Sequence, residues 1–348
     1  MKVEKVQRDS NIELLRIVLM FMIILHHVVT RGLRLRELGT GGYVPTSSTG
    51  FQLLLNSFLI VAVNTYVFIS GYFQIRFKVK SFFALFFQAL VYSVVLYLLF
   101  VVTGLAHFDK VTFITTFFFI YKGWWFVPVF LVLYAISPIL NKGLAAMSKG
   151  QLIWILLILL VFCNIKYIPG NFISERGFGI CNFIFIYILA YFCRYYVPVI
   201  RVPWLWYILC SLVTFALAYT AFRMGKYGTA WNVYNYNSPF IILAAVFLFY
   251  TFRNISIRSG FINSIATLVF GTYLIHEQHD VCFMIRDFVG YLNSVIHNDV
   301  ELFSSLLGVA IVVFVVGISI EKVRQLVCDP IVDAIFRIPV VQKISAVW

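Results

Sequence analysis

The chain has 348 residues, of which 62% are hydrophobic, 18% aromatic and only 12% charged, with a formal net charge of +13. A soluble protein of this length cannot cover so much apolar surface with so few charges, so the composition excludes an ordinary globular domain and makes lipid the solvent. In a soluble chain the basic excess would point to nucleic acid; here it marks basic helix ends and sites for anionic ligands.

A spanning helix needs about 20 mostly apolar residues. Ten such runs can be drawn, at residues 11–31, 51–73, 81–104, 124–141, 151–168, 178–196, 204–222, 236–252, 263–285 and 302–320. Lipid leaves only helices or closed barrels, and these runs lack period-2 alternation. The expected fold class is therefore all-α: a polytopic integral membrane protein of about ten transmembrane helices, one membrane-embedded domain over residues 1–348. Segment 111–121, VTFITTFFFIY, is apolar but short, and reads as re-entrant, interfacial or part of a longer helix. An even number of crossings puts both termini on one side. With that side cytoplasmic, most of the 27 Lys and Arg fall inside, as positive-inside bias requires. The first outer loop, RGLRLRELG, runs against the bias. Lys2, Lys5 and Arg8 before an apolar stretch look like a signal peptide, but no small-residue cleavage site follows, so a retained first helix is expected. Cys163, Cys181, Cys193, Cys210, Cys282 and Cys328 form no CxxC pair and read as small core residues.

The first run carries Glu13, Arg16, His26 and His27. At 3.6 residues per turn Arg16 and His27 return to nearly one face, roughly 16 Å apart along the axis, while His26 points about 80° away. Glu13, three residues before Arg16, can pair with it. Two readings stand. Arg16 is a snorkelling anchor and His27 a histidine bonded to a neighbouring helix; or the stripe lines a functional path, as intramembrane ionisable groups do. A guanidinium suits phosphate, and an imidazole suits proton abstraction near neutral pH.

The second run ends in VFISGYFQIR, residues 67–76. Gly71 permits close backbone approach, and Arg76 with Lys78 and Lys80 makes a basic cluster that either anchors the helix or binds an anion at the level of Arg16. In GWWFVPVFLVLYAISPILN, residues 123–141, Trp124 and Trp125 belong either to an aromatic belt or to a platform for a sugar ring. Pro128 and Pro138 would kink that helix. In SIATLVFGTYLIHEQHD, residues 264–280, Tyr273, His276, Glu277 and Asp280 lie toward the outer end of the ninth run. His276 and Asp280 are four apart and can meet. His279 is off that face, so no metal site is expected. Outer loops 32–50 and 223–235, rich in Gly, polar and aromatic residues, suit sugar contact or the membrane interface.

Together and in this order the four stretches resemble the membrane-bound acyltransferase family 3. That family's first helix carries an Arg, ten intervening residues and a His, matched by Arg16 and His27. Its Ser-Gly-Tyr/Phe segment followed by a basic residue is matched by Ser70, Gly71, Tyr72 and Arg76. Its Trp-containing helix is matched by Trp124, Trp125, Tyr134, Ser137 and Pro138, and its late Tyr-Leu-x-His by Tyr273, Leu274 and His276. The resemblance implies an O-acyltransferase of the bacterial plasma membrane. It would move an acyl group, acetyl by default, from cytoplasmic acetyl-CoA or another acyl-CoA to a hydroxyl of a cell-surface glycan or lipid-linked sugar. It assigns His27 as general base beside Glu13 and Arg16; Arg16, Arg76, Lys78, Gly71 and Tyr72 to the acyl-CoA; Trp124, Trp125, Tyr273 and His276 to the acceptor; and neither metal nor nucleic acid. The rival is a transporter or exporter of a polar or lipid-linked substrate. It also needs intramembrane Arg and His, but predicts internal repeats or matching broken helices, and the sequence has neither.

Overall fold

The computed structural model describes residues 10–117, 124–164 and 175–345. The described residues are helical, with no strand among them. Helix α1 (Ser10–His27) runs on through a π-helical turn, Val28–Gly32. The helices α2 (Thr49–Leu59) and α3 (Ala62–Phe73) form one broken rod, followed by α4 (Val79–Val102) and the short α5 (Lys110–Thr116). Then come α6 (Phe126–Ala146), α7 (Lys149–Leu159), α8 (Ile180–Tyr196), α9 (Pro203–Arg223), α10 (Tyr227–Asn232) and α11 (Pro239–Arg253). The last are α12 (Gly260–Ala266), α13 (Val269–His276), α14 (His279–Val295), α15 (Asp299–Ile335) and α16 (Pro339–Ser345).

Six stretches are long and apolar enough to cross a membrane: Ser10–Gly32, Thr49–Phe73, Val79–Val102, Phe126–Ala146, Pro203–Arg223 and Asp299–Ile335. The other four expected runs correspond to shorter apolar helices, Lys149–Cys163, Ile180–Tyr196, Pro239–Arg253 and Gly260–His276. Six, rather than about ten, meet the length requirement among the described residues. The chain is a multi-pass membrane protein on that count. Val312, Val315, Val316 and Val323 on α15, and Leu212, Val213 and Leu217 on α9, are exposed, as lipid-facing residues are.

Two expectations change. The ninth run, 263–285, is not one helix. It breaks at Thr267 and Leu268, and again at Glu277 and Gln278. Gln278 is extended and its side-chain oxygen accepts from the Val281 N–H, which starts α14 as a separate helix. That helix packs Val289 over Gly32, where a Cβ would collide with it. The chain after α14 starts α15 at the same end of the bundle, with the Ser47 hydroxyl 3.4 Å from Asp299. So α14 lies across that end and does not extend a crossing. Segment 111–121 is a short helix where described. Asp109 caps α5 by accepting from the Thr112 N–H, and Ser93 of α4 donates to the Thr116 carbonyl at 2.8 Å. Residues 118–121 lie outside the described residues.

At the centre α1 packs against α3, α11, α12, α13 and α15, with Leu15, Leu19, Ile24 and Val29 wholly buried. Without a hydrophobic drive between helices in lipid, small residues set the close crossings. A Cβ on Gly71 of α3 would lie 2.5 Å from the Tyr187 carbonyl oxygen of α8, and one on Gly317 of α15 would lie 2.5 Å from Thr272 of α13. The two ends of the described chain lie together. Gln342 and Ser345 share a cleft with Lys80, which pairs with Asp333 at 2.8 Å. Asn11 shares another with Phe73, three residues before Arg76. The opposite end holds residues 33–48, 225–238 and α14.

Candidate active site

Along α1 the charged stripe divides between the two ends. At the first, Glu13 is buried and its carboxylate lies 2.7 Å from the Arg16 guanidinium. The Arg16 carbonyl accepts from the Tyr66 hydroxyl of α3. At the second, His27 meets the end of α13. Its Nδ1 is 2.7 Å from Glu277 Oε1 and 3.1 Å from His276 Nε2. Arg31, one turn beyond His27, holds both oxygens of Glu277, at 2.8 Å to Oε1 and 3.0 Å to Oε2, and donates to Cys282 Sγ at 2.7 Å. The Glu277 side chain is only 1% exposed. A carboxylate taken out of water at that depth needs paired charge, and Arg31 supplies it.

The tautomers follow from these contacts. His276 Nδ1 lies 2.8 Å from the Thr272 carbonyl, one turn back in α13. A carbonyl can only accept, so that nitrogen carries the proton and His276 Nε2 carries a lone pair. His27 Nδ1 therefore donates to His276 Nε2, while Glu277 Oε1 lies 2.7 Å from the same nitrogen as a close charge contact rather than a formed hydrogen bond. His27 Nε2 is left with a lone pair. His26 turns to α2 instead, with Nδ1 2.7 Å from Asn56 Oδ1. The π turn that follows is tied back by Thr30, whose hydroxyl donates to the His26 carbonyl at 2.7 Å. Such turns are common at functional sites.

His27, His276 and Glu277 offer three ligand atoms within 4.8 Å of one another. Two histidines and a carboxylate form a set that zinc takes. The Arg31 guanidinium is the cation that already occupies this carboxylate, and a metal ion would have to displace it. A crevice of about 10 Å³ beside His27, lined by Ile24, Arg31, His276, Cys282 and Ile285, has room for about one water.

The other predicted residues are dispersed over the bundle. Tyr273 and His276 belong with His27: their rings are 5.9 Å apart, the His276 and His27 rings 5.3 Å, and Tyr273 also meets Phe126 of α6 at 5.7 Å. Trp124 is buried at the start of α6, and Trp125 packs against Phe178 at 4.6 Å and Tyr236 at 5.4 Å, so its ring is part of an aromatic cluster. Arg16 and Arg76 line one cleft of about 870 Å³ at the far end, with Ser70, Gln88, Tyr134 and Arg324. Tyr72 lines a different cleft, Lys78 is exposed outside both linings, and Gly71 faces α8. The expected His276–Asp280 contact does not form, because α13 ends at His276 and Asp280 accepts from the Gln278 amide at 2.9 Å. Arg31, Glu277 and Asn56 complete the site. The first was read as a loop charge, although its spacing of four from His27 puts both on one helical face.

A family model described as an acyltransferase domain matches residues 9–321. No curated protein and no solved structure matches the chain.

Proposed function

The chain belongs to the membrane-bound acyltransferase family 3, and on that premise we propose that it moves an acyl group, acetyl by default, from acyl-CoA to a hydroxyl of a cell-surface glycan or lipid-linked sugar at a bacterial plasma membrane. The observation that carries the reading is the contact of His27 Nδ1 with Glu277 Oε1 at 2.7 Å, with Arg31 on the same carboxylate. A histidine held at one nitrogen by a carboxylate presents the other as a general base, and the carboxylate stabilises the imidazolium that results.

In this reading His27 Nε2 takes the proton of the acceptor hydroxyl as that oxygen attacks the thioester carbonyl. The carbon–sulfur bond then breaks, and the imidazolium returns its proton to the leaving thiolate. Glu277 and His276 fix the ring through Nδ1. Arg76, with no carboxylate partner among the described residues, suits the donor's phosphates through charge-assisted hydrogen bonds, with Arg16 and Arg324, held by Glu13 and Glu321, beside it in the cleft. The acyl donor supplies an activated thioester on a long arm, which suits a site roughly 16 Å from Arg16 along the helix. In this reading Tyr273 and His276, packed beside His27, line the acceptor side.

The ligand-like set at His27 favours one second reading, a bound metal ion that activates the hydroxyl. A single experiment separates the readings. Purified protein is given acetyl-CoA and a membrane glycan extract, and release of free thiol is followed for the wild type, His27→Ala and His26→Ala, with and without a chelator. Loss in His27→Ala alone, unaffected by the chelator, is expected. Loss in His26→Ala alone would move the base to the other histidine. Chelator-sensitive release would favour the metal. A folded wild type that releases no thiol with any donor or acceptor would favour a transporter.

A further inference from the structure

We propose that a second cleft, framed by Arg194, Arg253 and Arg258, is a binding site for a phosphate group, separate from the cleft of Arg16 and Arg76. It stands on its own geometry and does not depend on the acyl-transfer reading. The cleft has a volume of about 660 Å³ and is open at the end of the bundle that carries both ends of the described chain. Three elements bring a guanidinium to it. Arg194 lies in the last turn of α8, Arg253 ends α11, and Arg258 precedes α12.

The first turn of α1 completes the lining with Asn11 and Ile12. The Asn11 amide donates to the carbonyls of Phe252 and Arg253 at 3.1 and 3.4 Å, which fixes the start of α1 against the end of α11.

Helix C-termini favour cations, and that accounts for Arg194 and Arg253 one at a time. It does not account for their convergence. Both guanidiniums lie over the same ring, that of Tyr72, at 5.8 and 5.5 Å from its centroid. Arg194 also donates to the Tyr72 carbonyl at 2.7 Å. Five arginines elsewhere are paired with a carboxylate, Arg16 with Glu13, Arg31 with Glu277, Arg34 with Glu37, Arg286 with Asp287, and Arg324 with Glu321 and Asp329; the three at this cleft are not. Among the described residues no Asp or Glu lines the Arg194 cleft, and Arg258 has no hydrogen-bond or ion-pair partner. Guanidiniums that converge on one ring, in a cleft without an acidic lining residue among the described residues, leave a positive field that an anion would relieve. A planar fork of N–H donors, repeated three times beside Asn254 and Ser256, matches phosphate oxygens. The ligand chemistry is thus a phosphate ester or diphosphate. A soluble nucleotide and an anionic lipid headgroup both carry it.

The test uses the full chain in nanodiscs of zwitterionic lipid and follows thermal unfolding. One arm adds sodium pyrophosphate; the other replaces part of the lipid with phosphatidylglycerol. The proteins are wild type, the double variant Arg253→Gln/Arg258→Gln, and Arg223→Gln at the opposite end as a control. A ligand that binds the native state raises the midpoint in a saturable way. The expected result is that one arm stabilises wild type and Arg223→Gln alike, and that the double variant needs at least about tenfold more probe. Response to pyrophosphate assigns a soluble phosphate ligand, and response to phosphatidylglycerol alone assigns a lipid headgroup. Either supports the site. A double variant that starts from the wild-type midpoint and responds as wild type does would overturn it, and so would a wild type that responds to neither probe.

Discussion

The proton on His27 Nδ1 goes to His276 Nε2, and the Glu277 carboxylate lies 2.7 Å from the same nitrogen. That makes Glu277 more than a clamp: when Nε2 gains its proton, the ring acquires a positive charge beside a carboxylate 1% exposed. Glu277→Gln keeps the length and removes that charge. Thiol release from acetyl-CoA should fall by about 10²–10⁴-fold. The same change in a His27→Ala background should cost almost nothing more, because a residue that acts through another has nothing left to act on. Fully additive losses would sink the coupling. Stability is a separate effect. The single change leaves Arg31 without its counter-ion, which costs about 3–5 kcal/mol. Arg31→Gln/Glu277→Gln removes both charges and should recover much of the melting temperature without recovering the rate. The spacing of Arg16 and His27 put the proposed base on a definite face, and the structure gives that face its partners. The partners themselves were not legible. Glu277 lies 250 positions from His27, and a single sequence carries no record of which distant carboxylate folds back onto it.

Helices here meet through small residues, and the crossings can be tested one glycine at a time. A Cβ on Gly71 would reach the Tyr187 backbone, its Cα at 2.7 Å as well as its carbonyl oxygen. Backbone cannot rotate aside as a side chain can, so α3 and α8 must separate. Gly71→Ala should lower the melting temperature in detergent by the equivalent of about 1–3 kcal/mol. Gly143, in α6, has open space where its Cβ would stand. Gly143→Ala should therefore be neutral, or stabilising by up to about 1 kcal/mol from helix propensity. Equal effects at the two sites would show that the Gly71 crossing is not set by close contact. Hydropathy found these elements because apolar length is a local property, and it failed where ends depend on tertiary partners. The run through 263–285 has no proline to mark its breaks at Thr267 and Glu277. Glu321 lies just past the tenth apolar run, 302–320. It is wholly buried, and accepts from Tyr92 at 2.8 Å and from both Arg324 and Gln325.

At the scale of the molecule, the His27 cluster and the cleft of Arg16 and Arg76 lie at opposite ends of α1, so orientation decides whether the proposed reading works. An acyl-CoA donor is cytoplasmic, and the cleft of Arg16, Arg76 and Arg324 must therefore open inward. The charge pattern agrees. Arg76, Lys78, Lys80, Arg194, Arg253 and Arg258 gather at that end, as positive-inside bias requires. The basic loop RGLRLRELG opposed that bias in the sequence. Its charges now have local uses: Arg31 holds Glu277, and Arg34 pairs with Glu37 at 2.7 Å. Orientation can be measured directly. With the six native cysteines replaced, Arg36→Cys and Lys142→Cys each place one thiol at an exposed position, the first in the loop after His27 and the second at the end of α6, beside Asn141, whose amide donates to the Ile75 carbonyl. A membrane-impermeant maleimide should label Arg36→Cys in intact cells and Lys142→Cys only after permeabilisation. The reverse pattern would turn the three-arginine cleft outward, away from any coenzyme pool. It would remove acyl-CoA as the donor even if His27 proved to be the base. Labelling in the expected order would leave the donor's phosphates inside and His27 in the outer half, so that the acyl group travels up the helix bundle before it is transferred.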